Sequence, residues 1–115
     1  MTRIQYQECI DACIKTMNAC NYSYVASLKE YDLASLRESI QLDRECAEIC
    51  SFAVSAMTRQ SPFVVDILRL CAEICERCAD ESAKHPQTHC RECIEACRNA
   101  AMACRLVSGA VEVYA

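Results

Sequence analysis

The chain has 115 residues, a formal net charge of −4, one glycine, two prolines and twelve cysteines. Its Lys and Arg residues are scattered and form no basic stripe, which disfavours a nucleic-acid surface. No run approaches 18 uninterrupted apolar residues, which excludes a membrane-spanning helix. Cysteine above about 8–10% usually signals a disulfide scaffold in a short secreted chain. Residues 1–8 oppose that reading, because they are polar and hold no apolar signal-peptide core. So does the scarcity of Gly and Pro, since disulfide scaffolds are rich in loops. One domain over residues 1–115, cytoplasmic and with reduced thiols, is the expectation.

Thr2-x-x-Gln5 reads as a capping box and opens a helix that runs to about Ser27, with Cys9, Cys13 and Cys20 on one line. A second helix begins near Asp32 or Ser35, with Ser35-x-x-Glu38 as a second box. It carries Cys46 and Cys50 to about Arg59. Ser61-Pro62 starts the third, as an N-cap followed by a proline whose missing N–H costs nothing there. That helix carries Cys71, Cys75 and Cys78 and breaks at His85-Pro86, because the residue before proline is pushed out of helical geometry. The fourth runs from about Pro86 to Val107 with Cys90, Cys93, Cys97 and Cys104, and Ser108-Gly109 is expected to end it through a left-handed cap. Connections of a few residues make neighbouring helices antiparallel. The fold class is therefore all-α, an antiparallel up-down-up-down four-helix bundle with cysteines lining its core.

Spacings of three, four and seven stack each cysteine group along one helix face. A rise of about 1.5 Å per residue places Cys9, Cys50 and Cys104 toward one end and Cys13, Cys46, Cys71 and Cys97 near the middle. Cys20, Cys75, Cys78, Cys90 and Cys93 fall toward the turn at 84–89. Three roles compete for these thiols. Helix axes pack about 8–10 Å apart, while a disulfide needs Cα atoms about 4.4–6.8 Å apart, so twelve inward cysteines pair poorly. As core filler, one or two free cysteines need no explanation, but twelve at repeated spacing do. As metal ligands, the Cys-x-x-x-Cys pairs 9/13, 46/50, 71/75 and 93/97 set two sulfurs one turn apart on one face. The Cys-x-x-Cys pairs 75/78 and 90/93 do the same.

Thiolates select Cu(I), Zn(II) or iron–sulfur clusters. Twelve thiolates around three zinc ions leave the core at about −6, a costly buried charge, whereas twelve Cu(I) ions leave it neutral. The ferredoxin cysteine run is absent, so iron–sulfur is least favoured.

At these four groups, Cys9-x-x-x-Cys13, Cys46-x-x-x-Cys50, Cys71-x-x-x-Cys75-x-x-Cys78 and Cys90-x-x-Cys93-x-x-x-Cys97, the sequence resembles the cysteine-rich four-helix-bundle copper-binding proteins. These include the bacterial cytosolic copper storage proteins. The resemblance spans essentially the whole chain, with Cys20 and Cys104 each seven beyond a pair. It implies several Cu(I) ions per chain, copper ions as the partner, and a homo-oligomer, commonly a tetramer. The tyrosines Tyr22, Tyr24 and Tyr31 and the apolar residues of the tail at 110–115 offer surface for that assembly.

His85 and His89 are candidate ligands lining a mouth for copper, with two solvated histidines beside Pro86 as the other reading. Met17, Met57 and Met102 are candidate thioether ligands, with core packing favoured, and Met57 is placed at the opposite mouth. Asp43, seven before Cys50, points inward on strict spacing, but a solvated edge is favoured. No nucleophile sits beside a fixed base, so no enzyme is expected. A structural zinc or interaction bundle, or a thiol redox sensor, stays open as an alternative.

Overall fold

The computed structural model describes residues 1–114, with side chains through Val111. The side chains at 112–115, part of the tail named above as an association surface, lie outside it. Four helices follow in order: α1 (Gln7–Leu28), α2 (Arg37–Thr58), α3 (Val64–Ser82) and α4 (Thr88–Tyr114), with a 3-10 turn over Ala34–Leu36. Sequential helices pack side by side, and α4 closes back onto α1, so the diagonal pairs hardly meet. The result is a rod of 49 × 19 × 18 Å.

The expected boundaries hold in kind and shift in detail. The Thr2–Gln5 box forms. The Thr2 amide donates to Gln5 Oε1 at 2.6 Å and the Gln5 amide to Thr2 Oγ1 at 3.4 Å. It caps a separate turn that feeds α1 only at Gln7. The Ser35–Glu38 box does not form. Asp32 instead accepts the Ser35 amide at 3.4 Å and organises the 3-10 turn that leads into α2. Helix α2 ends in a Schellman arrangement, with the Gln60 amide bonded to the Met57 carbonyl and the Ser61 amide to that of Ala56. Gln60 takes the left-handed conformation at φ 53°. Ser61 then accepts the Phe63 amide at 3.1 Å and starts α3.

Helix α4 is longer than the sequence suggests. Gly109 does not adopt a positive φ, and the helix passes through it to Tyr114. Val107 and Val111 explain why, since both pack on the apolar core and reward continuation of the stripe.

The interior alternates sulfur with methyl groups. Ala47, Ala53, Ala72, Ala79 and Ala100 are buried between the cysteine rows, and their small size lets the helices approach. The two ends differ. At the end formed by the start of α1 and α3, the buried Tyr6, Ile10, Met57, Val64 and Leu68 make an apolar plug continuous with the thiol core. The opposite end buries Ser23, Ser27, Ser39, Asp43 and Ser82.

Gly109 meets nothing within 4 Å at an added Cβ. Gly109→Ala is therefore expected to stabilise the protein by about 0.5–1 kcal/mol, seen as a higher urea midpoint. A lower midpoint would mean that this residue caps the helix in the left-handed conformation.

Candidate metal centre

All twelve cysteines are free and buried. Helix α1 presents Cys9, Cys13 and Cys20, α2 Cys46 and Cys50, α3 Cys71, Cys75 and Cys78, and α4 Cys90, Cys93, Cys97 and Cys104. The sulfurs of all but Cys90 make one column along the rod. Cys104 lies 3.7 Å from Cys9 and 3.8 Å from Cys13. Cys50 lies 3.8 Å from both Cys71 and Cys75. Cys46 then bridges Cys75 at 3.5 Å and Cys97 at 3.7 Å. Cys20 continues from Cys97 at 3.7 Å to Cys93 at 3.4 Å, and Cys93 meets Cys78 at 3.9 Å.

Among the described residues, five sets of donors lie mutually within 4.8 Å. They are Cys9/Cys13/Cys104, Cys13/Cys50/Cys71, Cys46/Cys50/Cys75, Cys20/Cys46/Cys78/Cys97 and Cys20/Asp43/Cys78/Cys93. Successive sets share cysteines, so an ion in one has sulfurs in common with the next. Such a lining suits soft ions held by two or three thiolates each.

A family model described as copper storage protein matches residues 2–109. The chain belongs to the copper storage protein family. It is 49% identical over 102 residues to the uncharacterized cysteine-rich protein YhjQ of Bacillus subtilis (strain 168), covering 88% of this chain and 94% of that one. Its structure is similar to that of the Cu(I)-bound copper storage protein BsCsp3, with a TM-score of 0.87 and 46% identity over 90% of this chain and 97% of that one. It also resembles a cytosolic copper storage protein from Streptomyces lividans loaded with five coppers. There the TM-score is 0.89 and the identity 32%, over 93% of this chain and 94% of that one.

Within this family member the layering differs from simple counting. Cys50 sits with Cys13 and Cys71 rather than at the Cys9 end, and Cys75 sits with Cys46 and Cys50 rather than toward the far end. Spacing within a helix sets which face a residue takes, but loops and packing set the register between helices. Cys90 stands outside the column, 3.7 Å from Nδ1 of His89. That histidine meets Ser23 Oγ through Nδ1 at 3.0 Å and Glu30 Oε1 through Nε2 at 3.2 Å. His85, in the connection that follows α3, instead pairs with Glu81 in the last turn of that helix, at 3.1 Å. Neither histidine belongs to any of the five sets. Met57 is fully buried as part of the apolar plug, Met17 packs against the core, and Met102 is 62% exposed and turns away from the sulfurs.

Asp43 corrects the sequence reading. It is not at a solvated edge but fully buried, and its Oδ1 accepts from the Cys78 and Cys93 thiols at 3.4 Å each. The signal was present, since Asp43 precedes Cys46 by three and Cys50 by seven. Thr16, three past Cys13, continues the α1 line in the same way. Its hydroxyl spans the Ala12 and Ala96 carbonyls at 2.9 and 2.8 Å and ties α1 to α4. Ser23 and Ser27 extend that line to the polar end.

Proton sharing follows from this crowding. Hydrogen bonds among neighbouring sulfurs, followed by burial, hold the Cys50, Cys97 and Cys104 thiols well above their usual range. Burial at the polar end pushes Cys90 up to about 11.

Burial pushes the Asp43 carboxyl up from its usual 3.8 to about 8. Between those values the folded state holds a proton that the unfolded state has lost. This contribution to stability is full below pH 3.8 and disappears as pH rises through about 8. Denaturant melts of the reduced, metal-free protein should show stability falling across that window. Asp43→Asn should flatten the fall, and an unchanged slope would count against this assignment.

Proposed function

We propose that this protein stores several Cu(I) ions per chain in the cytosol, held by the thiolates of Cys9, Cys13, Cys20, Cys46, Cys50, Cys71, Cys75, Cys78, Cys90, Cys93, Cys97 and Cys104. The observation that carries this reading is the continuity of the sulfur column, in which neighbouring donor sets share cysteines from end to end. A protein that used one metal to stiffen its fold would need one closed set of four. A column of overlapping sets accommodates many ions, each replacing the proton of a thiol. Charge supports the same choice, because monovalent ions matched to thiolates keep the interior neutral. One of the similar proteins is Cu(I)-bound and another is a cytosolic copper storage protein, and the chain carries the same fold.

The polar end is the route for copper, since the opposite end is filled by Tyr6, Met57, Val64 and Leu68. His89 beside Cys90 receives the ion there, with Glu30 on Nε2 and with Nδ1 turned to the Ser23 hydroxyl and the Cys90 sulfur, so the ion displaces the Ser23 bond. His85 is a secondary ligand of the same mouth, held by Glu81. No reaction is catalysed on this reading, and the role is buffering. Exposed Tyr22, Val25, Phe52, Phe63 and Leu106 support assembly as a homo-oligomer, with a tetramer as the expected state.

Titrating the reduced protein with Cu(I) against a chromophoric Cu(I) chelator tests the storage role. The expected endpoint is on the order of ten ions per chain, bounded by about one per thiol. Saturation at one or two would overturn it.

A further inference from the structure

The cysteine lines of α1 and α4 are each broken at one place. On α1 the line runs Cys9, Cys13, Thr16, Cys20, with a threonine where helical spacing would set a further sulfur. On α4 it runs Cys93, Cys97, Ala100, Cys104, with an alanine. Thr16 and Ala100 are both fully buried, and the two breaks lie at one level. Cys13 meets Cys104 on one side of them, and Cys20 meets Cys97 on the other. Between these contacts the Thr16 hydroxyl reaches the Ala96 carbonyl at 2.8 Å.

Across this level α1 and α4 cannot hand an ion along their own sulfurs. Cys13 to Cys20, and Cys97 to Cys104, is a rise of about 10.5 Å. An ion bonded to two sulfurs at about 2.3 Å each spans at most about 4.6 Å. Helices α2 and α3 carry sulfur through the gap instead, with Cys50 at 3.8 Å from Cys75 and Cys75 at 3.5 Å from Cys46. The donor sets divide accordingly. Two draw on Cys9, Cys13, Cys50, Cys71 and Cys104, and two on Cys20, Cys46, Cys78, Cys93 and Cys97 with Asp43. Among the described residues, Cys46/Cys50/Cys75 is the one set that joins these groups, and it shares a single sulfur with each. Thr16 does not replace the missing ligand. Its oxygen is a hard donor, poorly matched to Cu(I), and its one proton lies between the Ala12 and Ala96 carbonyls. A tie between α1 and α4 explains that hydroxyl, but not why α4 also lacks a sulfur at the same level.

We propose that Thr16, with Ala100 opposite it, divides the column into an outer and an inner copper store joined by the single waist Cys46/Cys50/Cys75, and so limits the rate at which copper exchanges with the inner store. The proposal rests on the reading of the column as a copper store filled from the polar end. An ion that crosses inward gains a bond to Cys50 before it gives up its bond to Cys46. For each Cu(I) that passes in, one thiol proton passes out, so the charge of the inner half is unchanged. No sulfur is oxidised and no copper changes valence. The inner store is the last to fill and the last to empty.

The test loads the reduced protein with Cu(I) to its endpoint and follows release to an excess of a chromophoric Cu(I) chelator. Two phases are expected from the wild type, the slow one carrying roughly 40% of the copper at about one ion per thiol. Thr16→Cys sets a sulfur in the break and is expected to speed the slow phase at least about tenfold, a barrier lowered by about 1.4 kcal/mol. Thr16→Val removes the hydroxyl tie without adding sulfur and is expected to leave both phases in place. A Thr16 that only holds the helices together predicts otherwise, with both variants loosening the bundle and speeding release alike. Ala100→Cys adds a sulfur at the same level from α4 and is expected to act as Thr16→Cys does, should that variant not fold. The wild-type phases test the proposal without any variant. A full load released in one phase, a folded cysteine variant with an unchanged slow phase, or equal acceleration by Thr16→Val and Thr16→Cys would each overturn it and leave the storage role standing. An endpoint of one or two ions would overturn the storage role and this proposal with it.

Discussion

The structure depends on the burial of thiols in their neutral form. A thiol is a small hydrophobe when protonated and a soft ligand when not. A core lined with it can pack dry in the absence of metal and still offer ligands when protons leave. The interior meets that constraint by pairing cysteine rows with alanines such as Ala53, Ala72 and Ala100, which keep the helices close. It adds few large side chains, and most gather at one end, where Tyr6, Met57, Val64 and Leu68 close the rod, while Leu36 is buried at the other.

From this follows the asymmetry of the ends. Polar groups are tolerated only where something can bond them or where a charge will come. Asp43, Ser27, Ser39 and Ser82 are buried together with His89 and Cys90 nearby in register, and several of their atoms have no partner. Among the described residues, the other end has no such unpaired atoms. On the proposed function, this asymmetry makes the polar end the side from which an ion is received.

Much of this was legible in the residues. Cysteines at spacings of three, four and seven established the helical faces, and Ser61-Pro62 and His85-Pro86 marked true boundaries. What escaped had physical reasons. Gly109 can cap a helix or lie within one, and only the packing of Val107 and Val111 decides between them. The layer of Cys50 and of Cys75 depends on how the connections before α2 and α3 set those helices against their neighbours, which no spacing within a helix encodes. Asp43 was placed at an edge because burying a carboxylate alone is unfavourable. The thiols of Cys78 and Cys93, distant in sequence, are what make it tolerable. His89 was picked out, but its partners Ser23 and Glu30 lie on another helix and the loop that follows it, beyond the reach of local pattern.

The central claim is that metal fills a core already formed. Far-ultraviolet circular dichroism of the reduced, metal-free protein, compared with the copper-loaded protein, tests it most directly. The account predicts the same helical spectrum in both states, with a cooperative thermal transition in the metal-free sample. A metal-free spectrum of an unfolded chain that becomes helical only on adding metal would contradict it.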